Sequence, residues 1–208
     1  MGDKTVVRSS YSLDCHRDWI NPPQNGQLTV KIIPDFIGRE QALIELYVAT
    51  FTASQGANEG VLIGNLVRDL LAETATQDIR VFCAEDEGAA IGAAIFTRLT
   101  YSEDMHIVFL LSPMAVAPEH QRQGIGQSLI SHALEALRSE GIQIAITYGD
   151  PNYYGQVGFM PITENQARAP LALSFPHGWI GQSLTEEHMP VLQGPSTCVS
   201  ALNRSDVW

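Results

Sequence analysis

The stretch Val116-Ala117-Pro118-Glu119-His120-Gln121-Arg122-Gln123-Gly124-Ile125-Gly126 decides how this chain folds, because it joins an apolar strand to an amphipathic helix through two glycines. Gly124 and Gly126 permit backbone conformations and close approaches that other residues do not. The first turn of the helix exposes unpaired N–H groups and the positive end of the helix dipole, and Arg122 adds a positive charge. Together these features favour an anion site, and phosphate above all.

The spacing of the glycines excludes two common nucleotide motifs. The dinucleotide fingerprint requires a third glycine where this chain has Leu129. ATP-binding loops require Gly-Lys followed by Ser or Thr, which is missing here. The pattern therefore predicts neither a dinucleotide nor an ATP site, and it leaves open a plain strand-to-helix turn whose glycines serve geometry alone.

Hydrophobic periodicity predicts the elements that precede this turn. Asp35 is expected to cap the first helix, and a break over residues 55–60 separates that helix from the next. The predicted elements are a strand over Leu28–Ile33, a helix with Ile44, Tyr47, Val48 and Phe51 on its inner face, a helix with Leu62, Leu66 and Leu70 on its inner face, and strands over Arg80–Glu85, Ala89–Leu99 and His106–Val116.

A proline interrupts the last of these strands. Pro113 cannot donate to the strand ladder, so we expect a bulge or kink there. After the turn, a helix from Ile125 ends near Gly141 and a strand covers Ile142–Tyr148. Two closing strands, over Ala172–Phe175 and Cys198–Leu202, complete the prediction. Helices and strands mix within one unit, so the fold class is α/β or α+β.

Two motifs give this order a family resemblance. The pattern Gln121-x-x-Gly124-x-Gly126, after a strand that ends Met114-Ala115-Val116, resembles the acetyl-CoA motif of the GNAT N-acetyltransferase superfamily. Tyr154-Gly155-Gln156-Val157-Gly158-Phe159 resembles that family's Tyr-x-x-x-Gly-Phe segment, and the run from Gly149 to Tyr154 is similar to its YhbS-like branch. The resemblance covers roughly Leu28 to Pro161. It implies a central, mixed but mostly antiparallel, twisted sheet with splayed fourth and fifth strands, flanked by helices.

The resemblance also implies an activity and its residues. The chain would transfer an acetyl group from acetyl-CoA to a primary amine of a small molecule or protein, by direct attack of the amine on the thioester. Tyr154 corresponds to the general acid that protonates the departing CoA thiolate, whereas its neighbour Tyr153 is a weaker candidate. The Met114 amide would polarise the thioester carbonyl. The residues implied in binding acetyl-CoA are Met114, Ala115, Val116, Gln121, Arg122, Gln123, Gly124, Ile125 and Gly126.

Alternatives remain open at this point. A general base is not evident, since Glu103, Asp104 and His106 are equally well explained as loop and strand-end residues. A water chain would serve instead. The missing base leaves room for a non-catalytic acyl-CoA-binding or regulatory module on the same fold. A phosphate-ligand protein of another fold is the third hypothesis.

Composition excludes other classes. The chain has 208 residues, with 12 Lys or Arg against 23 Asp or Glu, so its net charge is −11 at pH 7. Nucleic-acid binding requires clustered basic side chains, which are missing, so we expect no nucleic-acid partner. The acidic balance mainly indicates solubility. The apolar content of 45% is enough for an ordinary core.

Cysteine usage and the N-terminus predict a compartment. Cys15, Cys83 and Cys198 lack the paired spacing of zinc sites, so we expect free thiols in a reducing compartment and no metal. The N-terminus has no apolar core of signal-peptide length, and no uncharged apolar run reaches membrane-spanning length. We therefore expect a cytoplasmic protein without a membrane partner, its oligomeric state left open.

The domain organisation follows from polarity along the chain. Residues 1–27 are polar and end in Asn21-Pro22-Pro23-Gln24-Asn25-Gly26, which is typical of an arm or linker. Residues 28–208 are expected to form a single domain. Its last part, from residue 167 onward, is rich in Gly, Pro and His and is expected to lie on the acceptor side.

Overall fold

The computed structural model describes residues 30–185 and 188–208, so the expected arm over 1–27, with Cys15, lies outside the described residues. The predicted order of strand, two helices, three strands, helix and strand is confirmed. The elements are β1 (Lys31–Ile33), α1 (Glu40–Gln55), α2 (Ala57–Glu73), β2 (Ile79–Asp86), β3 (Ala89–Tyr101), β4 (Val108–Val116), α3 (Ile125–Ser139), β5 (Ile144–Tyr148), α4 (Pro151–Tyr154), β6 (Met160–Pro161), β7 (Trp179–Ser183) and β8 (Ser196–Thr197).

These strands form one twisted mixed sheet in the order β1-β2-β3-β4-β5-β7-β6, with β8 paired to the far end of β3. Strands β4 and β5 pair in parallel, and the other pairs described are antiparallel. Helices α1 and α2 pack on one face of the sheet and α3 packs on the other. The predicted fold class is therefore confirmed. We call the two sides the α1/α2 layer and the α3 layer.

The proline in β4 produces the expected bulge. Ala94 pairs with Met114 but Phe96 pairs with Leu111, so Ser112 and Pro113 together lie opposite one residue of β3. The proline cannot donate to the ladder, and the extra residue of the bulge interrupts the pairing at this point.

The parallel pair separates beyond this bulge. The register of β4 with β5 ends at Leu111 opposite Thr147, whereas β4 continues to Val116. The edge of β4 that faces β5 is therefore left without a strand partner over its last residues. This is the splay that the family resemblance implies.

Two local predictions around α1 are wrong. Asp35 does not cap α1, which begins at Glu40 with Arg39 in the cap position. The Asp35 carboxylate instead accepts hydrogen bonds from the N–H groups of Phe36 (2.6 Å) and Ile37 (3.0 Å), because a short acidic side chain closes local turns as readily as helix ends. The break before α2 is also shorter than expected and consists of Gly56 alone, with φ +96°.

The predicted closing strands are wrong as well. Residues 172–175 form no strand, and Ser200–Leu202 is a turn of 3-10 helix. The strands that do close the sheet are β7 and β8. Gly181 interrupts the apolar pattern of β7, because a Cβ there would lie 3.1 Å from Ile162 Cδ1 and 3.4 Å from the Ala145 carbonyl oxygen. Close packing therefore selects a glycine that weakens the strand signal.

No helix in the described part of the chain is long and apolar enough to cross a membrane.

Candidate active site

The turn that joins β4 to α3 presents unpaired backbone donors. Arg122 and Gly124 adopt positive φ angles of 60° and 79°, which bends the chain sharply into the first turn of α3. Within the described residues, no protein acceptor takes the backbone N–H groups of Arg122 to Gly126. Arg122, Gln123 and Gly124 are exposed, whereas Ile125 and Gly126 are buried under the helix. The turn therefore offers several donors to an anion from solvent.

The side chain of Gln121 fixes this turn to the end of β4. Its Nε2 donates to the Val116 carbonyl oxygen at 2.9 Å, and the Thr50 hydroxyl approaches the same oxygen at 3.4 Å. The Gln121 side chain is thus used within the protein. This hydrogen bond holds the turn against the end of β4.

Gly126 lies in close contact with the segment that carries the tyrosines. A Cβ at this position would lie 2.2 Å from the Tyr153 hydroxyl and 2.7 Å from Met114 Cε. The lack of a side chain at Gly126 therefore lets α4 and β4 approach the first turn of α3. Tyr153 was the weaker candidate from sequence, yet its hydroxyl is the group that requires this glycine.

Tyr154 is held rigidly at the end of α4. The Asp150 carboxylate caps this short helix by accepting from the Asn152 N–H at 2.9 Å. The Tyr154 ring meets the rings of Tyr153 and Phe159 edge-on, with centroid distances of 5.1 Å and 5.8 Å, and 1% of the residue is exposed. Such packing fixes the direction of the phenol.

A cleft opens where β4 and β5 separate. The space between its walls, including the part that is open to bulk solvent, is about 450 Å³. Among the described residues, those that line it include no Asp, Glu, Lys, Arg or His. They are Phe51, Leu110, Leu111, Ser112, Pro113, Met114, Thr147, Tyr148, Tyr154, Leu202, Val207 and Trp208. The structure therefore brings Tyr154 and Met114 together in the cleft, while Ala115 and Val116 are buried further along β4.

Tyr47 is a site residue that sequence reasoning placed only in the core. Its hydroxyl lies 3.0 Å from the Ala93 carbonyl oxygen and 2.9 Å from that of Pro113. It thus bridges the two strands at the bulge, where Pro113 lines the cleft. A tyrosine on an otherwise apolar helix face was the available signal, since a buried phenol hydroxyl requires a polar partner.

The candidate bases before β4 lie away from the cleft. Ser112 lies six positions after His106, which corresponds to about 20 Å of extended chain at 3.3 Å per residue. Asp104 pairs with the His106 ring at 2.6 Å and accepts from the Gln193 N–H at 2.9 Å. Burial raises the pKa of Asp104, but the hydrogen bonds from His106 and Gln193 outweigh it and lower the pKa overall. These groups stabilise a loop and do not face the cleft.

Two further ionisable groups are buried near the α1/α2 layer. Glu59, in the first turn of α2, is 3% exposed, and its Oε1 has no hydrogen-bond partner in the described residues. Burial, followed by repulsion from Asp206, raises the pKa of Glu59. Burial likewise raises the pKa of Cys83 to about 12, so its thiol is no nucleophile near neutral pH. Neither side chain lines the cleft.

Comparison with known proteins identifies the family. The model of the acetyltransferase (GNAT) domain matches residues 77–161. A protein of Escherichia coli strain K12, named uncharacterized N-acetyltransferase YjhQ, is 34% identical over 139 residues, which cover 64% of this chain and 76% of that protein. The chain belongs to the GNAT acetyltransferase family. The matched region contains the β4–α3 turn and Tyr154.

Solved structures show that this GNAT chain has the expected fold. YhbS from Escherichia coli, in complex with CoA, superposes with a TM-score of 0.74 at 19% identity and covers 88% of this chain and 97% of its own. A GNAT acetyltransferase from Brucella melitensis, in complex with acetyl-CoA, gives 0.65 at 23% identity and covers 84% and 98%. The similarity extends well beyond residues 77–161 and includes much of the C-terminal part.

Proposed function

We propose that this GNAT protein is an acetyl-CoA-dependent N-acetyltransferase that transfers the acetyl group directly to a primary amine. The observation that carries the proposal is the cleft at the splay, where Tyr154 faces the unpaired end of β4. The two solved GNAT structures of the same fold that hold CoA and acetyl-CoA support the choice of co-substrate. The described residues contain no group of three metal-ligating side chains, and the proposal uses no metal.

The turn is assigned to the pyrophosphate of CoA. The amides from Arg122 to Gly126, which have no acceptor in the described residues, donate to its oxygens, with the dipole of α3 and the Arg122 guanidinium adding positive potential. Gln121, through its bond to the Val116 carbonyl, keeps these amides in position. Gln123 and Ile125 contribute backbone rather than side chain.

The pantetheine arm is assigned to the free edge of β4. There it meets backbone groups of Met114 to Val116 that β5 leaves unpaired. The Met114 amide is the donor we assign to the thioester oxygen, because Pro113 has no N–H to offer. Such a fixed donor stabilises the charge that develops on the carbonyl during attack.

The transfer then needs two proton movements. The amine nitrogen attacks the thioester carbon and forms the amide bond as the carbon–sulfur bond breaks. Tyr154 donates its phenol proton to the departing thiolate, and the amine releases its proton to water. A phenol is neutral at pH 7 and can donate, which suits this role. Since the described lining of the cleft contains no carboxylate or imidazole, no side chain is assigned as base.

Calorimetric titration tests the co-substrate. Acetyl-CoA is titrated into the protein, with ATP and NAD as controls, and CoA release is then followed in the presence of amines. We expect acetyl-CoA to bind and the two nucleotides not to bind. Equal binding of ATP would support a general phosphate site and contradict the proposal. Acetyl-CoA binding without amine-dependent CoA release would favour the non-catalytic acyl-CoA module.

A further inference from the structure

The cleft passes through the sheet from one layer to the other. Leu111, Met114 and Tyr154 belong to the core of the α3 layer. The first turn of helix α3 belongs to the proposed pyrophosphate site. Phe51, Leu202, Val207 and Trp208 belong to the core of the α1/α2 layer. The side that faces α1 and α2 is therefore the one left for the acceptor. We call its lining residues Phe51, Tyr148, Leu202, Val207 and Trp208 the acceptor wall.

The polar atoms of the acceptor wall are used within the protein. The Trp208 indole N–H donates to the Leu202 carbonyl at 2.7 Å. The Tyr148 hydroxyl accepts from the Phe175 N–H at 2.6 Å. The Tyr148 and Trp208 rings stack with centroids 6.3 Å apart and an interplanar angle of 22°. The wall therefore presents ring faces and hydrocarbon to the cleft, and its polar groups face away.

No side chain of the acceptor wall is charged, and the two acidic side chains described next are either paired or buried. The acid nearest along the chain, Asp206, already forms two hydrogen bonds with Arg204, at 2.7 and 2.6 Å. Glu59 is buried and lies outside the lining of the cleft. An acceptor with several charges would lose its hydration on entering this wall and would find no charged side chain there to compensate the loss.

We propose that the acceptor is a small amine carried on an apolar group, aromatic or branched aliphatic, and that the segment 200–208 sets this preference. Apolar contact with Phe51, Val207 and Trp208 holds the body of the acceptor, and its amine points through the splay toward Tyr154. The inference rests on the proposed function, since it assigns the acceptor side of the same cleft.

Equilibrium binding of two amines tests the acceptor class. Phenylethylamine has one amine on an apolar body, whereas spermidine has several cationic nitrogens on a flexible chain. Their affinities are measured by calorimetry with and without CoA. We expect phenylethylamine to bind about tenfold more tightly or better. Equal affinities, tighter binding of spermidine, or no binding of either amine would overturn the proposal.

Variants locate the preference on the acceptor wall. Val207→Asp places a carboxylate on the wall and should reverse the preference toward spermidine. Val191→Asp makes the same change at a residue that is 56% exposed and outside the cleft lining, and it should leave the ratio unchanged. If Val207→Asp fails to unfold cooperatively, the nearly isosteric Val207→Thr should weaken phenylethylamine binding about threefold. An unchanged ratio in both Val207 variants contradicts the assignment.

CoA affinity distinguishes a failure of the proposed function from a failure of the acceptor assignment. If the unmodified protein binds no CoA, the proposed function fails, and the amine affinities measured without CoA still decide the acceptor class. If CoA binds normally and the amine ratio does not change in the Val207 variants, the acceptor assignment alone fails.

Discussion

The two ends of the cleft differ in how the protein builds them. The α3 side is made of backbone: exposed amides of the turn, a free strand edge, and glycines that allow close approach. The acceptor side is made of side chains, Phe51, Val207 and Trp208 among them, which come from distant segments. A backbone site constrains the sequence to a short pattern, whereas a side-chain wall can be composed in many ways. The first is therefore recognisable as a motif, and the second specifies one chain's substrate.

The largest expected effect is that of Tyr154→Phe, which removes the proton donor that we propose between the two ends. Loss of a general acid should lower kcat about 10²-fold, while acetyl-CoA affinity stays the same because the ring remains packed. Steady-state CoA release and calorimetry measure the two quantities. Tyr101→Phe is the matched control, since Tyr101 is also buried but lies at the far end of β3. Equal kcat in both variants would remove Tyr154 from the mechanism.

Gly126→Ala tests the backbone-built side of the cleft without changing the acceptor wall. The new Cβ would lie 2.2 Å from the Tyr153 hydroxyl, and such overpacking costs about 1–3 kcal/mol. We expect weaker acetyl-CoA binding and a lower melting temperature. Adding Tyr153→Phe removes the hydroxyl and leaves the ring carbon at 3.5 Å, while Met114 Cε, at 2.7 Å, can shift because it ends a flexible side chain. The double variant should therefore recover most of both losses. Additive losses would contradict the contact.

Tyr47→Phe tests the bulge that opens the cleft. Removing the hydroxyl leaves the buried carbonyls of Ala93 and Pro113 without this donor, which should cost about 1–2 kcal/mol of unfolding free energy. Because the bulge orients β4, kcat should fall as well, by less than in Tyr154→Phe. Chemical denaturation and CoA release provide the two readouts. A full loss of stability without any change in kcat would separate the bulge from the chemistry.

The smallest expected effect concerns Glu59, the buried acidic side chain in the first turn of α2. Burial raises its pKa in the folded protein, so the folded state holds this proton more tightly than the unfolded state. The stability it contributes is present below the unfolded pKa and is lost as pH rises through the folded pKa. Glu59→Gln should therefore remove part of the decline in unfolding free energy as pH rises above the ordinary glutamate pKa of about 4.3. Identical pH dependence in both proteins would contradict this.

The sequence predicts the backbone geometry around the β4–α3 turn well. Gly124, Gly126 and Pro113 have consequences that are local, because each changes what the backbone next to it can do. The sequence from Pro113 to Gly126 therefore predicts the bulge, the turn and the start of α3. The family comparison confirms the GNAT fold.

The acceptor side could not be predicted in the same way. Tertiary packing brings together Phe51, Val207 and Trp208, which lie more than half of the chain apart in sequence. No local sequence pattern predicts such a contact. Strand β7 was not predicted, because close packing requires Gly181 there and a glycine weakens the sequence pattern of a strand. Tyr47 matched an apolar helix face, and only the fold shows that its hydroxyl lies at the bulge.

A crystal structure of the protein with CoA tests the central claim most directly. The account predicts that the pyrophosphate lies on the amides of Arg122 to Gly126 and that the pantetheine follows the free edge of β4. The sulfur should then lie within hydrogen-bonding distance of the Tyr154 hydroxyl, between β4 and β5. A CoA molecule whose sulfur lies outside the cleft, or whose pantetheine occupies the acceptor wall, would contradict the account.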